Sequence, residues 1–391
     1  MAPMRERTLP PLALAMAGGV AFAYLASLFT MAIHHRWILD EAGRPLTTDF
    51  VSFWTAGRLA LFGHGAEAYD WARMHAIQQN LMAHDPGGFL GWAYPPLFFL
   101  PTLLLAAMPY GIAFLAWVAA TMALYLAIVA RAAQTRSAVL LALAAPPTLA
   151  CALVGQNGFL TAALMGGVLL ALEKRPLVAG LLLGLLTYKP HFGLLFPVAL
   201  VFGGHGRAFL AAAVMSVLIV LLSWLLAPAS LLAFVTHLSG MSRDFLSHGQ
   251  AGFFKLQSLY GLLRLSGLAD APAFAAQGFL LLAMAGFTAW LWRSDAPFWR
   301  RCAGLAAATL LATPYLFFYD LPILTLAIAF LWRERPFDRL ETALLVAAQL
   351  ALALFVSVSL PVGLAASALT LAVILRRWVK DAATGLRLQP A

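Results

Sequence analysis

Residues 10–33 read PPLALAMAGGVAFAYLASLFTMAI and contain no charged side chain. About 20 apolar residues in a helix cross the hydrocarbon core of a bilayer, so this run is long enough to span it. Although Ala21-Phe22-Ala23 resembles a cleavage site, the run continues beyond it and exceeds the core of a signal peptide. Arg5 and Arg7 precede the run, and basic flanks mark the cytoplasmic side of a membrane helix. The run therefore predicts an uncleaved first transmembrane helix with a cytoplasmic N-terminus.

The rest of the chain has the same apolar character. Of its 391 residues, 62% are apolar by type and 10% are charged, and the mean hydropathy is +0.86. These values exclude a water-soluble globular protein, in which about a quarter of the residues are charged. The chain has room for roughly ten to twelve helices of membrane-spanning length. We expect an all-α polytopic membrane protein that forms a single transmembrane domain over residues 1–391.

The net charge of +9 does not indicate a nucleic-acid partner. The basic residues stand between apolar runs and form neither a basic arm nor a basic helix, so their placement reports membrane topology instead. Cys151 and Cys302 lie inside apolar runs, where cysteine behaves as a small hydrophobic residue. We therefore expect no disulfide and no zinc site.

Charge placement predicts which connections face the cytoplasm. Two long polar intervals, residues 34–94 and 227–273, separate groups of apolar runs. The basic connections, which belong inside by the positive-inside rule, are residues 131–136, 173–175, 203–207, 293–301, 333–339 and the tail 376–391. Both long intervals then become outer loops, and the turns at Gly155, Lys189 and Asp320 face outward as well. The polar chemistry is thus predicted on the outer face of a plasma membrane, which we take to be a bacterial inner membrane.

The sequence also carries three local expectations. Residues 95–130 form either one kinked crossing or a short helix followed by a full one, because Pro109 and Gly111 interrupt the run. Gly180 and Gly184 have the spacing that lets two helices approach closely. Residues 253–268 mix cations and amides with Leu, Phe and Tyr, which indicates an amphipathic helix at the membrane interface.

Asp49 is the first candidate for catalysis, at the start of TDFVSFWTAGR, residues 48–58. The segment has helical periodicity, with Phe50 and Trp54 on one face and Asp49 among small side chains on another. A helix that rests its aromatic face on the membrane leaves the carboxylate over an open surface. Alternatively, Asp49 caps this helix, as Asp often does, and the two roles do not exclude each other.

Three further candidates border apolar runs. Pro95 holds Tyr94 in an extended conformation, which suits a fixed loop that re-enters the membrane. Gln156 and Asn157 interrupt two apolar runs, and an unpaired amide near hydrocarbon costs free energy. These amides either face a ligand or form an Asn-Gly turn between helices.

The ionisable candidates near the membrane are few. Lys189 and His191 form a compact site for an anionic phosphate, unless Lys189 only extends toward the interface. Asp320 has almost no polar neighbours in sequence, so it is a functional candidate or the partner of Lys189 or Arg243. Arg243 and Arg264 lie in the second outer loop, where they face solvent, phospholipid or a substrate.

The first outer loop contains five histidines, but their spacing matches no metal-ligand motif. They are His34, His35, His64, His75 and His84. We expect no metal site and no cofactor.

The order of these motifs resembles glycosyltransferase family 87, whose members are polytopic enzymes of the GT-C fold. The resemblance covers most of the chain and consists of Asp49-Phe50, Ser52-Phe53-Trp54, Ala56-Gly57, Tyr69-Asp70, Tyr94-Pro95-Pro96, Gly155-Gln156-Asn157, Gly180 to Lys189-Pro190, Gln257-Ser258, Leu262 to Gly267 and Tyr319-Asp320.

This resemblance implies transfer of a sugar, mannose or a related hexose or pentose, from a polyprenyl-phosphate carrier. The acceptor is a glycan, a glycolipid or another hydroxyl compound on the outer face, and membrane lipids surround the enzyme. Asp49 matches the position of the catalytic carboxylate and acts as general base. The residues expected to bind the donor phosphate or the substrate are Lys189, His191, Gln156, Asn157, Arg243, Arg264, Asp320 and Tyr94.

Several alternatives stay open at this point. Asp40, Glu41 or Asp70 takes the role of base if the first outer loop folds differently. A transporter or lipid flippase also has many helices and isolated intramembrane charges, although we find no repeated halves in this sequence. A non-catalytic membrane scaffold that binds partners through its two outer loops is the third possibility.

Overall fold

The structure is a computed structural model that describes residues 10–85, 90–242, 246–249 and 252–383. Arg5 and Arg7, Arg243, and the final residues of the predicted tail lie outside these ranges. The part of that tail that is described, residues 376–383, continues the last helix.

The described residues form α-helices joined by short turns and 3₁₀ segments, and isolated bridges are their only β-structure. The helices of the first half are α1 (Pro11–Ile33), α2 (Phe50–Leu61), α3 (Trp71–Met82), α4 (Phe99–Ala106), α5 (Tyr110–Ala133), α6 (Ala138–Ala144), α7 (Pro146–Val154), α8 (Gly158–Ala171) and α9 (Pro176–Leu185). Those of the second half are α10 (Phe196–Phe202), α11 (Gly206–Leu226), α12 (Pro228–Ser242), α13 (Leu259–Leu265), α14 (Asp270–Arg293), α15 (Phe298–Ala312), α16 (Pro322–Glu334), α17 (Arg339–Ala353) and α18 (Val362–Ala383).

The all-α polytopic architecture is confirmed. Within the described ranges, six helical segments are long and apolar enough to cross a membrane, and several shorter apolar helices lie between them. The six are Pro11–Ile33, Tyr110–Ala133, Gly206–Leu226, Asp270–Arg293, Arg339–Val356 and Val362–Ala383. The total of ten to twelve crossings stays a prediction, because the shorter helices do not span a bilayer by length alone.

Prolines and glycines decide where the apolar runs break. Of the two arrangements expected for residues 95–130, the structure has the short helix α4 followed by the full-length α5. The helix predicted over 253–268 is wrong in extent, because residues 253–255 form a 3₁₀ turn and only Leu259–Leu265 is α-helical. The Ser258 hydroxyl caps this shorter helix by accepting from the backbone N–H of Gly261 at 3.1 Å.

Gly180 and Gly184 pack α9 directly on α11, as their spacing predicts. A Cβ at Gly180 would lie 2.4 Å from Ala211 Cβ, and one at Gly184 would lie 2.4 Å from Met215 Cβ. Real Cβ atoms do not come this close to other atoms. The two helices can therefore pack at this distance only because both positions are glycine.

The expectation that α2 rests its aromatic face on the membrane is wrong. Phe50 is fully buried and Trp54 is half-buried, and both rings meet the ring of Tyr110 edge to face, at centroid distances of 5.4 and 5.8 Å. Gly57 explains the burial, since a Cβ there would lie 2.3 Å from the carbonyl oxygen of Thr102. The helix α2 therefore packs against α4 inside the protein, and the first loop rests on an aromatic core.

Several basic connections gather at one end of the helices, which we call the arginine face. Arg333 donates to the carbonyl oxygen of Arg131 at 3.1 Å, and the rings of His205 and Trp292 lie 5.8 Å apart. The arginine face also holds a group of ion-paired side chains that we call the arginine network. Its members are Arg300, Glu334, Arg335, Asp338, Glu341, Arg376, Arg377, Lys380 and Asp381.

Candidate functional site

Asp49 lies directly before α2, at the end of the helix bundle opposite the arginine face. Its side chain makes no capping hydrogen bond, so the capping role is wrong. Instead, Gln156 Nε2 donates to Asp49 Oδ2 at 3.2 Å, although the two residues are 107 positions apart. Asp49 is half-buried. A neutral amide thus holds one oxygen of the carboxylate, and among the described residues the other oxygen receives no hydrogen bond.

The turn Gly155 to Gly158 places Gln156 beside Asp49. Gly155 has φ +67°, which glycine adopts readily, and a Cβ there would lie 2.8 Å from Phe50 Cβ. A Cβ at Gly158 would lie 1.7 Å from the carbonyl oxygen of Tyr319. Each glycine therefore touches a residue next to an acid, Phe50 beside Asp49 and Tyr319 beside Asp320. The Asn-Gly turn and the amide contact coexist in this turn.

A buried ion pair forms the second part of the site. Lys189 Nζ lies 2.6 Å from Asp320 Oδ1, and both side chains are almost fully buried. The backbone N–H of Phe317 donates to the other oxygen of Asp320 at 3.3 Å. The Lys189 ammonium also lies 5.3 Å from the centre of the Tyr319 ring, a cation–π distance. Of the partners that the sequence allowed for Asp320, the structure selects Lys189.

Tyr94 joins the site from the end of the first outer loop. It is buried, and its hydroxyl donates to Gln156 Oε1 at 3.4 Å. Its carbonyl oxygen accepts from the Tyr69 hydroxyl at 2.8 Å, which ties the middle of the loop to its end. Asn157 is fully buried nearby, and neither polar atom of its side chain has a hydrogen-bond partner among the described residues.

The segment that carries Lys255 lies over this site, and sequence reasoning did not single that residue out. Leu256 pairs with Phe317 in an antiparallel bridge, and Gln257 N donates to Leu316 O at 2.6 Å. The Lys255 side chain is exposed, and its charge lies close enough to Asp49 to favour the ionised carboxylate. No local signal distinguishes Lys255 from the other cations of this loop, since the pairing with residues 314–317 is a long-range contact.

Burial raises the pKa of the Asp49 carboxyl above its ordinary value. The hydrogen bond from Gln156 and the charges of Lys255 and Lys189 oppose this shift, while the negative charge of Asp320 adds to it. Asp49 belongs to the polar first loop, outside the candidate membrane spans. A carboxylate with a raised pKa accepts a proton more readily than an exposed one, which suits a general base.

The model of glycosyltransferase family 87 matches residues 92–314, more than half of the chain. The chain belongs to glycosyltransferase family 87. Comparison with curated proteins and with solved structures gave no match. The family membership makes the protein a multi-pass membrane glycosyltransferase.

The matched region of this glycosyltransferase holds only part of the site. Gln156, Lys189 and Lys255 fall inside residues 92–314, whereas Asp49 and Asp320 lie on either side of it. The fold brings the outer two to the matched residues through the contacts from Asp49 to Gln156 and from Asp320 to Lys189.

Two residues predicted to bind substrate in this glycosyltransferase have other contacts. Arg264 donates to the carbonyl oxygens of Ser247 and Leu268, both at 3.0 Å, and lies over the Phe253 ring. These contacts close the turn around α13. His191 is half-buried against the rings of Phe192 and Tyr315, at centroid distances of 4.4 and 5.8 Å.

Two of the three alternative acids of the first loop have local hydrogen-bond partners. Asp40 Oδ1 accepts from the backbone N–H of Arg44 at 2.8 Å, and Asp70 caps α3 by accepting from Arg73 N at 3.1 Å. Glu41 is exposed. The histidines pair separately, His64 with Glu67 and His75 with Asp85. Among the residues that the structure describes, His, Cys, Asp and Glu form no group of three that could hold a metal ion.

Proposed function

We propose that this glycosyltransferase moves a sugar from a polyprenyl-phosphate carrier to an acceptor hydroxyl, with Asp49 as the general base. The observation that carries the proposal is the state of the Asp49 carboxylate. In the described part of the chain, no lysine or arginine forms an ion pair with it, and one of its two oxygens receives no hydrogen bond. A half-buried carboxylate held by a neutral amide keeps its free oxygen for a proton.

The proposed step is a direct displacement at the anomeric carbon. The acceptor oxygen attacks that carbon and gives its proton to the free oxygen of Asp49. A bond forms between the acceptor oxygen and the anomeric carbon, while the bond from this carbon to the phosphate oxygen breaks. The electron pair leaves with the polyprenyl phosphate. Direct displacement inverts the anomeric centre, so a β-linked donor gives an α-glycoside.

The negative charge that develops on the departing phosphate requires a cation or hydrogen-bond donors nearby. Lys189 is already paired with buried Asp320, so we assign the phosphate contact to exposed Lys255. His191 is half-buried and close in sequence to Lys189, and even a neutral imidazole donates one N–H. The Lys189–Asp320 ion pair then has a structural role and fixes the segment of Tyr319 against the turn at Gly158. The sequence has no glycine-rich phosphate loop, which agrees with a lipid carrier in place of a nucleotide sugar.

The proposal places the site on the outer face of the membrane, as in enzymes of the GT-C fold. The support comes from the charge distribution, since basic connections gather at the arginine face and basic loops remain in the cytoplasm. We expect a reporter fused after His84 to be active only outside the cytoplasm. Activity on the cytoplasmic side would overturn this orientation.

The decisive experiment incubates the purified protein with a panel of polyprenyl-phosphate sugars and measures loss of the sugar by mass spectrometry. We expect one donor to lose its sugar in the wild-type protein and in an Asp40→Asn control, but not in Asp49→Asn. Movement of a lipid-linked sugar across proteoliposomes without covalent change would instead support the transporter alternative.

A further inference from the structure

Gln156 sits between the two halves of the site and has only one possible amide orientation. The backbone N–H of Asn157 faces one end of the Gln156 amide at 2.9 Å. A backbone N–H can only donate, so the atom that faces it must be the amide oxygen. The amide nitrogen must then point at Asp49 Oδ2, 3.2 Å away. The contact is therefore an N–H donated to the carboxylate.

The backbone of this turn allows Gln156 little freedom. Trp117 Nε1 donates to the carbonyl oxygen of Gly155 at 3.1 Å, and the Cys151 thiol lies 3.4 Å from the carbonyl oxygen of Gln156. Gly155 and Gly158 pack against Phe50 and Tyr319 too closely for any side chain. The position of the Gln156 amide is thus set by backbone contacts on both sides.

From this geometry we propose that Gln156 is a positioning residue, which binds Asp49 Oδ2 and leaves Oδ1 as the oxygen that accepts the proton. Among the described residues, Oδ1 receives no hydrogen bond. The inference rests on the proposed role of Asp49 as base and deepens it. It differs from the substrate contact that the sequence predicts for Gln156, because a side chain with both amide ends engaged offers little to a ligand.

The proposed arrangement also keeps the carboxylate ionised. A hydrogen bond donated to a carboxylate favours its charged form. The other titratable or charged groups that act on Asp49 are Lys255, Lys189, Asp320, Tyr94, Tyr110 and Tyr319. Among the described residues, only the neutral Gln156 side chain donates a hydrogen bond to the Asp49 carboxylate, so it can be altered while these charges stay in place.

The test uses carbodiimide labelling, which modifies a carboxyl in its protonated form and requires no substrate. The full-length protein in lipid nanodiscs is treated with dicyclohexylcarbodiimide between pH 4 and 9, and labelling of the Asp49 peptide is measured by mass spectrometry. The variants are Gln156→Glu, which keeps the acceptor for Asn157 N–H, and Gln156→Met, which introduces no charge. Gln78→Met is the matched control, because Gln78 is a buried glutamine that donates to Leu90 O instead.

We expect the pH midpoint of Asp49 labelling to rise by about one unit in Gln156→Met and by more in Gln156→Glu, with the control at the wild-type value. An unchanged midpoint in a folded Gln156→Met protein would refute the positioning role. Because labelling does not depend on turnover, a shifted midpoint without sugar transfer would contradict only the proposed function. Where transfer is measurable, the acidic limb of the pH profile should move with the midpoint while the donor KM stays constant.

Discussion

The helix α16 connects two polar clusters that differ in how their charges are paired. Asp320 precedes its first residue, and Glu334 is its last. At 1.5 Å per residue the helix separates the clusters by about 20 Å. In the arginine network, Arg377 is fully buried and donates to Glu334 and Glu341 at 3.3 and 2.9 Å, and each of the four acids has at least one cationic partner. Within the described ranges, one oxygen of the Asp49 carboxylate receives no hydrogen bond, and the Asn157 side-chain amide makes none.

The difference separates charges that are paired within the fold from the carboxylate that we propose as the base. A buried ion pair contributes little net stability, but removal of one partner leaves an uncompensated charge that strongly destabilises the fold. The arginine network joins α15, α16, α17 and α18 through such pairs, so it secures their relative positions. A catalytic carboxylate cannot be neutralised in this way, because a tightly bound cation would lower its affinity for protons.

Substitution of Asp49 should produce the largest effect on activity. We expect Asp49→Asn to lower the transfer rate by about 10²- to 10⁴-fold, the range attributed to general base catalysis. Stability should change little, because an amide still accepts from Gln156 in this half-buried position. Rates in detergent and thermal unfolding of the same preparation measure both quantities. Near-normal turnover would remove Asp49 from the mechanism.

Substitution of Arg377 should produce the largest effect on stability. Arg377→Gln removes the fully buried cation that Glu334 and Glu341 share and leaves Glu334 with Arg300 and Glu341 with Arg376, which costs up to about 3 kcal/mol of unfolding free energy. Chemical denaturation followed by tryptophan fluorescence would detect this loss. The exposed Arg339→Gln is the matched control and should be close to wild type. If both variants were equally stable, the contrast between the two clusters would fail.

The Lys189–Asp320 pair lies at the Asp49 site but is fully paired, so it should behave like the arginine network. We expect Lys189→Met to destabilise the protein by about 3 kcal/mol, because it leaves a buried carboxylate unpaired. The double variant Lys189→Met/Asp320→Asn should recover much of this loss, since the amide still accepts from Phe317 N–H. Unfolding free energies of the four proteins form a double-mutant cycle. Additive losses would show that the two residues do not interact.

The smallest expected effect concerns pH and Asp338, on the arginine face. The backbone N–H of Glu341, with Lys380 and Arg376, holds the pKa of Asp338 below its ordinary value. A lowered pKa contributes stability above the ordinary carboxyl pKa, and this contribution disappears as pH falls through the folded-state value. Asp338→Asn should therefore make the Tm fall less steeply below about pH 5. An identical slope in both proteins would contradict the assignment.

The Asp49 carboxyl has the opposite linkage. Its pKa is raised in the folded protein, so its protonated form favours folding, and this contribution disappears as pH rises through the folded-state pKa. As the pH falls, the contribution of Asp49 to folding stability therefore increases while that of Asp338 decreases.

The parts of the structure that follow from local pattern were predictable from sequence. The apolar run 10–33 became α1 over Pro11–Ile33, and Gly180 with Gly184 packed two helices as their spacing predicts. The basic connections 131–136 and 333–339 meet at one face, as charge placement indicates. In each case the signal is local in the chain, an apolar run, a spacing of two glycines or a short group of basic residues.

The contacts that build the site were less accessible to sequence reasoning. Gln156 and Asp49 are 107 positions apart, and no local pattern says which of two amides meets a carboxylate. The burial of α2 depends on one glycine, Gly57, which faces the backbone of Thr102. Nothing in the sequence indicates this contact, so the aromatic face was predicted to lie on the membrane, whereas it packs inside the protein. The role of Asp49 as a cap was wrong for a related reason, since the competing partner comes from a distant turn.

The close approach of Gly158 to Tyr319 has a consequence for biosynthesis. Asp49 is synthesised early in translation, Gln156 follows midway, and Asp320 comes only after most of the chain has been made. The floor of the site closes when Tyr319 reaches the turn that Gly158 leaves open for it. A chain that ends before Tyr319 therefore contains Asp49 and Gln156 but lacks the Lys189–Asp320 pair, so a truncated product should leave this site incomplete.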